Sequence, residues 1–471
     1  MNRILATLLA CASLAPWAVA TADTLDPGFA GSGIQVYTAP DAETRVLGAC
    51  PLAGGGVGIV AYRNAPREWI VVRARVDGTL DPSFSGDGVQ TIASSIFMRE
   101  QPAAVTCVGA GNTNAQDDAM LVAAPMSHPS YPQSHLLLAM VNLDQGTLAW
   151  SGAHDLNAWM FGWDPETGEA NWYGLNFHGV FPGANGEWLV VGASNHGDTM
   201  RRGIAARFSA GGALLQTYAI PEQEGVRTLD VHVARVIVGD EIRALARVET
   251  AGRRTWGLLR LATANLALLG TAAVGGPEAA DYALFKGRFI GGGGFVVPAM
   301  APSTAPSGQT PHLLVIRGNT VADVVLPQPA AFGPEITLSG GPMAATVAAN
   351  GRVIVAMGLS TPTMPGVGYY AALVKLGNGE TTLDAVDTGY GSQGSDFFQY
   401  APPTAQSLCP PGTVPPQHFA NISSWGNTTV LVGNAAPRCY DENNNDIGTS
   451  TWVLAARIQS DSGNLFGDGF E

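Results

Sequence analysis

The chain of 471 residues is acidic, with 38 Asp and Glu against 24 Lys and Arg and a formal net charge of −14. Since this charge repels nucleic acid and no basic patch with interleaved aromatic residues occurs, we exclude DNA and RNA as partners. Only 13% of the residues are charged, 46% are hydrophobic and 59 are Gly, which suits many short buried strands joined by turns. A chain of this length exceeds the usual size of one core, so we expect either several domains or a repeat architecture, and the composition favours repeats.

The N-terminus has the layout of a secretory signal peptide. A basic residue and an apolar stretch precede an A-x-A site that ends at Ala20, and polar TADTLD follows. We therefore expect residues 1–22 to be removed and residues 23–471 to fold as one domain, secreted or periplasmic. The alternative is a lipoprotein signal ending at Cys11, which would tether the chain to the outer membrane. No other apolar run is long enough to span a bilayer, so no transmembrane segment is predicted.

An apolar strand that ends on a basic residue recurs seven times along the chain. Six copies carry a cation at the same position; the positions are Arg73, Met140, Arg207, Arg260, Arg317, Lys375 and Arg457. Another apolar run, such as GVGIVAY or EWLVVGA, precedes each copy, and weaker strands lie before and after the pair. Four antiparallel strands in each of seven units predict an all-β fold, a seven-bladed β-propeller.

The recurring cation suggests a structural role. A site needed once would appear once, whereas this basic residue appears in nearly every unit. We therefore expect the cations to bridge neighbouring blades or to cap the turn that follows, and we do not expect them to bind phosphate or an acidic polymer.

The two ends of the chain complete one blade in this scheme. The C-terminal unit lacks its fourth strand, and the mature N-terminus supplies a turn and a strand in LDPGFAGSGIQVYTA. We expect the N-terminal strand to join the C-terminal blade, which closes the ring and removes exposed sheet edges.

Three related segments carry a family resemblance: RVDGTLDPSFSGDGV, its echo TLDPGFAGSGI near the N-terminus, and the degraded copy SDSGNLFGDGF near the C-terminus. They resemble the delta-60 repeat of secreted bacterial propeller proteins. The match covers about the first and last blades, whereas blades three to six keep only the apolar rhythm. The resemblance implies a propeller fold and export, and it brings no catalytic residues.

Four cysteines remain once Cys11 is set aside. An even count in an exported chain is most simply two disulfides, and the absence of a C-x-x-C pair disfavours zinc and thioredoxin-like sites. Cys50 and Cys107 fall at equivalent positions in the first strands of blades one and two, which predicts a bridge between these blades. Cys409 and Cys439 fall in two loops on one face of blade seven, where we expect the second bridge.

Histidines fall at one level of the predicted channel wall. His178 and His232 each lie nine residues before a glutamate that opens the second strand, so they are equivalent residues of adjacent blades. His418 and Lys286 fall within about one residue of the same level. Converging imidazoles can hold a metal or act as a general base. The alternative is a set of hydrated polar side chains, which we favour because no Asp or Glu is found at that level.

The loops that enter the first strands share a face with those that join second to third strands. Several are long and rich in Pro and Ser, as in APSTAPSGQTP, and such loops carry function when a rigid scaffold holds them. The loop entering blade three adds aromatic residues beside Asp164 and Glu166: Trp159, Phe161, Trp163, Trp172 and Tyr173. We predict a stacking platform for a sugar or a peptide. The alternative is that these rings pack the insertion onto the blade edge.

Oxygen-bearing side chains alternate in YDENNNDIG, at Asp441, Asn443 and Asn445, like the opening of a calcium loop. The expected glycine is replaced by Asp446 and the twelfth position by Trp452, so the helix-loop-helix motif is broken. A simple loop calcium site is the alternative to a solvated turn, and we otherwise expect no cofactor.

No nucleophile elbow, phosphate loop or H-E-x-x-H motif occurs in the sequence. The sequence therefore predicts a non-enzymatic exported propeller that binds a protein or a surface polysaccharide through its loop-rich face. One alternative, which rests on fold analogy, is a hydrolase or lactonase-like enzyme with a histidine-lined channel site. The other is a purely structural repeat module.

Overall fold

The computed structural model describes residues 28–31, 34–37, 44–52, 56–63, 68–93, 104–108, 118–128, 131–156, 174–195, 202–237, 241–274, 282–285, 287–290, 294–302, 309–318, 320–327, 343–347, 352–359, 367–377, 384–388, 395–400, 418–425, 428–435 and 452–458. Short β-strands make up most of these ranges, and a single-turn 3-10 helix lies at Ala184–Gly186. Within these ranges, no helix has the length and apolar character that a membrane span requires.

The described strands form seven antiparallel sheets, and six of them are built from consecutive strands. We number these six along the chain. Sheet 1 contains Thr44–Pro51, Val57–Arg63, Glu68–Ala74 and Val89–Ala93. Sheet 2 contains Ala104–Val108, Ala119–His128, Tyr131–Asn142 and Thr147–Asp155. Sheet 3 contains Gly174–Pro182, Trp188–Asn195, Arg202–Phe208 and Leu214–Ala219. Sheet 4 contains Val226–Ile237, Glu241–Thr250, Arg253–Ala262 and Leu268–Val274.

Sheets 5 and 6 keep the same plan, but one strand of each is split. The first strand of sheet 5 is divided into Ala283–Leu284 and Arg288–Ile290, and Gly294–Pro302, Gln309–Arg317 and Thr320–Val325 follow. Sheet 6 contains Met343–Val347, Val353–Leu359 and Val367–Lys375, and its fourth strand is divided into Ala385–Val386 and Ser395–Tyr400. Six blades are therefore complete within continuous stretches of the chain.

Sheet 7 combines the two ends of the chain. Its first three strands are His418–Trp425, Thr428–Ala435 and Trp452–Ile458, and its fourth is Ile34–Tyr37. The N-terminal strand runs antiparallel to Trp452–Ile458, with Val36 opposite Leu454. Four-stranded antiparallel sheets whose first strands contact those of the neighbouring sheets form a β-propeller, so the predicted all-β fold class is confirmed.

The hydrophobic core lies between the sheets. In sheet 1, Val60 and Val71 pack with Met120 and Val122 of sheet 2. The opposite face of sheet 2 packs on sheet 3, where Leu121 belongs to the same cluster as residues from the second and third strands of that sheet. Because sheet 2 has a neighbour on both faces, its central strands read as continuous apolar runs and not as an alternation of apolar and polar residues.

An aromatic ring of one sheet packs on a glycine turn of the next. The three pairs are Phe29 with Gly78, Phe84 with Gly146, and Trp150 with Gly212. A Cβ at these glycines would lie 3.0, 2.6 and 2.3 Å from the ring, and all three glycines have a positive φ. Only glycine allows both the close approach of the ring and the positive φ, which explains why the turn after the third strand repeats this residue.

The basic residue near the end of the third strand reaches the neighbouring sheet in three cases. The contacts run from Arg73 to Asp144 at 3.2 Å, from Arg207 to the carbonyls of Thr263 and Ala264, and from Arg317 to Asp384 at 2.8 Å. Arg260 and Lys375 instead form ion pairs within their own sheets. Bridging between blades, as predicted from the repetition, is therefore confirmed for the three arginines.

One predicted disulfide is present between the first strands of sheets 1 and 2. Cys50 and Cys107 are bonded, with their Cα atoms 5.5 Å apart. The bond joins equivalent positions of neighbouring sheets, as the alignment of the first strands predicts. Cys409 and Cys439 lie outside the described residues, so their pairing stays a prediction.

Candidate functional site

Two histidines occupy β-bulges at equivalent points of neighbouring first strands. In sheet 3 the register shifts between Phe177 and Gly179, which makes His178 the extra residue. In sheet 4 the register shifts in the same way around His232. A bulge re-aims the side chain that it carries, and here the two imidazole rings stack with centroids 4.6 Å apart and an interplanar angle of 25°. The structure thus brings together the two histidines that the sequence spacing aligned.

A buried aspartate lies beside this histidine pair. Asp230 is two residues before His232 on the same strand, its side chain is fully buried, and its Oδ1 atom contacts His232 Nε2. His178, Asp230 and His232 each offer a metal-ligating atom, and these three atoms lie within 4.8 Å of one another. We call these three residues the imidazole–carboxylate cluster.

The sequence-based statement that no acidic residue lies at the level of the histidines was therefore wrong. That comparison took one residue from each strand, whereas the bulge at His232 re-aims its imidazole toward a neighbour on the same strand. Asp230 stands two residues before His232, so an i−2 search would have found it.

Arg247 fixes the charge of the buried aspartate. It lies directly opposite Asp230 on the second strand of sheet 4, and its Nε atom donates a hydrogen bond of 3.0 Å to Asp230 Oδ2. Burial by itself raises the pKa of Asp230, but the charges and hydrogen bonds of His232 and Arg247 outweigh burial and hold that pKa well below its usual range. Asp230 is therefore a charged carboxylate at neutral pH.

An apolar wall backs the cluster. The ring of Trp256 meets the ring of His232 edge to face, with centroids 6.0 Å apart. Trp256 is fully buried in the core between sheets 4 and 5, where it packs with Leu245 and Phe295. Only 8% of the His232 side chain is exposed, whereas His178 is half-buried. Because this wall excludes water, ionic contacts within the cluster are stronger than they would be at the surface.

His418 does not occupy the position of these two histidines. It begins the first strand of sheet 7, whose bulge falls between Phe419 and Asn421, so Ala420 takes the equivalent position. His418 lies two residues earlier, although we had predicted it within about one. The reason is the distance from the bulge to the second strand. Ala420 lies eight residues before Thr428, whereas the bulge histidines of sheets 3 and 4 lie ten and nine residues before the start of their second strands, so counting back from the second strand gives a shifted level.

The other predicted site residues lie outside the described residues. They are Lys286 of the channel level, the aromatic set Trp159, Phe161, Trp163, Trp172 and Tyr173 with Asp164 and Glu166, and the calcium-loop candidates Asp441, Asn443 and Asn445. Their roles stay predictions.

Long connections are concentrated at one end of the sheets, which we call the loop-rich end. Because successive strands are antiparallel, connections that enter first strands lie at the same end as those joining second to third strands. The four longest stretches between consecutive described strands, residues 156–173, 326–342, 401–417 and 436–451, begin and end beside described strands at this end. The longest connection at the opposite end, residues 75–88, is shorter than any of them.

No protein-family model matches the chain, and no curated protein matches it. Solved structures with a similar fold include an inactive variant of virginiamycin B lyase from Staphylococcus aureus, with 8% identity, a TM-score of 0.43, and coverage of 90% of this chain and 98% of that chain. The Dos1 propeller shows 8% identity, a TM-score of 0.42, and coverage of 90% and 94%. An α-L-arabinanase from Penicillium chrysogenum shows 12% identity, a TM-score of 0.39, and coverage of 74% and 92%. The likeness concerns the fold alone.

Proposed function

We propose that this chain is an exported propeller of the delta-60 repeat type, a closed ring of seven blades that binds a protein or a surface polysaccharide through its loop-rich end, without catalysis. The observation that carries the binding proposal is that the four longest stretches between consecutive described strands begin and end at one end of the sheets. Binding residues lie disproportionately on loops that a packed scaffold holds in position.

Contacts between the first and last sheets support closure of the ring. The first strand of sheet 7 contacts the first strands of both sheet 6 and sheet 1. Phe29, which precedes the N-terminal strand, packs on Gly78 of sheet 1 in the way that Phe84 of sheet 1 packs on Gly146 of sheet 2. The junction between the chain ends therefore uses the same aromatic-on-glycine contact as a junction between ordinary blades, which is expected if sheet 7 is the seventh blade.

The binding proposal is tested by screening the purified mature chain against glycans and against envelope proteins. The Trp163→Ala/Trp172→Ala variant should weaken binding of any hit roughly tenfold or more, since aromatic anchors dominate binding surfaces. Leu269→Ala, at a half-exposed side chain on a fourth strand, is the control and should bind normally. Unchanged binding in the tryptophan variant removes the aromatic platform from the proposal.

Export is tested separately by N-terminal sequencing of the protein from cell fractions. We expect cleavage just after the A-x-A site at Ala20 and recovery from the periplasm or the medium. Incorporation of labelled fatty acid that is lost in Cys11→Ala would instead establish the lipoprotein alternative. The proposal needs no cofactor; stoichiometric calcium lost in Asp441→Ala would establish a calcium site at that loop.

The imidazole–carboxylate cluster favours a second candidate function, a hydrolase or lactonase-like enzyme. Asp230 is a charged, buried carboxylate in contact with His232, and a carboxylate of this kind orients an imidazole and stabilises its protonated form in general-base catalysis. His178 is half-buried beside it and is the member of the pair more accessible to a substrate. Ester and lactone hydrolysis by the wild-type chain that falls at least 100-fold in His232→Asn would establish this candidate, and no turnover across such a substrate panel would remove it.

A further inference from the structure

We propose that His178, Asp230 and His232 bind a divalent transition-metal ion of the zinc class between sheets 3 and 4. The proposal goes beyond binding at the loop-rich end. It uses the same side chains as the second candidate function, but it holds whether or not the protein is an enzyme.

The donor set is the first argument. Two imidazole nitrogens and one carboxylate oxygen form a combination that zinc and related first-row ions prefer over calcium and magnesium. The three ligating atoms lie within 4.8 Å of one another. Ligand atoms around one tetrahedral zinc ion are about 3.4 Å apart at bond lengths of about 2.1 Å, so adjustments of about an ångström complete the site.

The placement of the three donors on the backbone is the second argument. Bulges at equivalent points of two neighbouring strands aim His178 and His232 at each other across the boundary between the sheets. The fold does not require histidine at this bulge, because sheet 1 has Leu47 at the equivalent bulge and sheet 7 has Ala420. Two bulges that carry imidazoles beside a carboxylate are therefore better explained by a ligand than by the needs of the fold.

The outer contacts of the carboxylate are the third argument. Arg247 holds Asp230 Oδ2 and sits directly across the strand pair, while Oδ1 is in contact with His232. Ligating carboxylates in metal sites are oriented by an outer hydrogen-bond partner of this kind. The ion would replace the contact between Oδ1 and His232 Nε2, because an imidazole nitrogen that binds a metal carries no proton.

The charge of the cluster predicts what else the ion binds. Arg247 already balances Asp230, so a divalent ion adds positive charge to a largely buried place. The remaining coordination position should therefore be taken by hydroxide or by an anionic group, approaching from the side of the half-buried His178. The site is an open one, with three protein ligands and a position for an exogenous ligand.

The test is a titration of the chelator-treated mature chain with ZnCl2, followed by calorimetry, with Co²⁺ as a spectroscopic substitute. We expect one saturable ion per chain and a Co²⁺ absorption spectrum of a low-symmetry site. His178→Asn and His232→Asn should each weaken the affinity at least tenfold, and Arg247→Lys should weaken it about 10- to 100-fold. His312→Asn is the matched control, because His312 is also buried and contacts an aspartate, Asp323, at 2.7 Å.

A second readout covers variants that fail to fold. Zinc should protect His178 and His232 of the wild-type chain from carbethoxylation, mapped by mass spectrometry, and should leave His312 unchanged. Absence of saturable binding, or binding that survives in both cluster variants without protection of these histidines, overturns the proposal. Neither outcome bears on glycan or protein binding at the loop-rich end, so failure of this inference and failure of the proposed function are distinguishable.

Discussion

The boundary between sheets 1 and 2 and the boundary between sheets 3 and 4 place different residues at equivalent positions of the first strands. Between sheets 1 and 2, the first strands are joined by the Cys50–Cys107 disulfide, and Leu47 at the bulge packs into an apolar cluster. Between sheets 3 and 4, the same bulge position carries histidines that stack beside a buried aspartate. The first boundary shows that the fold is satisfied by apolar groups and a covalent bond, so the polar groups at the second are an addition that the fold does not demand.

The largest expected effect comes from removing the buried charge of the polar boundary. Asp230→Ala leaves Arg247 and His232 without their carboxylate, and breaking such a buried pair costs about 3 to 5 kcal/mol. The free energy of unfolding measured by denaturant titration should fall by this amount. Asp323→Ala removes a partly exposed carboxylate that contacts another histidine, His312, and should lower the free energy of unfolding by about 1 kcal/mol or less. Equal losses in the two variants would show that the cluster is ordinary surface electrostatics.

The next effect belongs to the covalent boundary. Cys50→Ser/Cys107→Ser should lower the free energy of unfolding by about 2 to 4 kcal/mol, because the cross-link restricts the unfolded chain. The loss should disappear when wild type and variant are compared under reducing conditions. A difference that persists after reduction would mean that packing of the cysteines, and not the bond, stabilises this boundary.

A smaller loss is expected at the boundary between sheets 5 and 6, which relies on a bridging cation. Arg317→Met removes the partner of Asp384, whose side chain is only 4% exposed, and should cost about 1 to 3 kcal/mol. Arg260→Met is the control, since Arg260 is mostly exposed and pairs within its own sheet, and its loss should be clearly smaller than that of Arg317→Met. A larger loss for Arg260 than for Arg317 would contradict the bridging role.

The smallest effect is a pH dependence that belongs to the polar boundary. The folded pKa of Asp230 lies below its ordinary value of about 3.9, so its contribution is complete above that value and is lost as pH falls toward the folded pKa. The difference in unfolding free energy between wild type and Asp230→Ala should be constant from about pH 5 to about pH 7 and should shrink below about pH 4. A difference that grows in acid would reverse the sign of the proposed interaction.

Repetition explains why much of the fold is predictable from the sequence. Apolar runs bounded by turns locate the central strands. Aligning the first strands places Cys50 and Cys107 at equivalent positions, and each pairs with the second residue of its second strand, Gly58 or Met120. The recurring arginines indicate contacts between blades, and three of them make such contacts. Local pattern suffices here because each blade contacts only its neighbours.

The candidate site was less predictable, because it depends on departures from the regular pattern. Histidine spacing aligned His178 with His232, but neither a bulge nor its distance from the second strand is visible in an apolar pattern, which is why His418 was misplaced. Asp230 was missed because its contact with His232 depends on the bulge at His232 and on Arg247 across the sheet. The aromatic residues of 157–173 and the loop of Asp441 stay predictions.

The most direct test exchanges the polar boundary for the residues found at the other bulges. His178→Leu/His232→Ala copies Leu47 of sheet 1 and Ala420 of sheet 7, and it leaves the Asp230–Arg247 pair in place. The measurement is the unfolding free energy of both proteins with and without ZnCl2, because an ion that binds only the folded state raises this quantity. The account predicts that zinc stabilises the wild-type chain and leaves the double variant unchanged. An equal zinc effect in both proteins, or none in either, would contradict it.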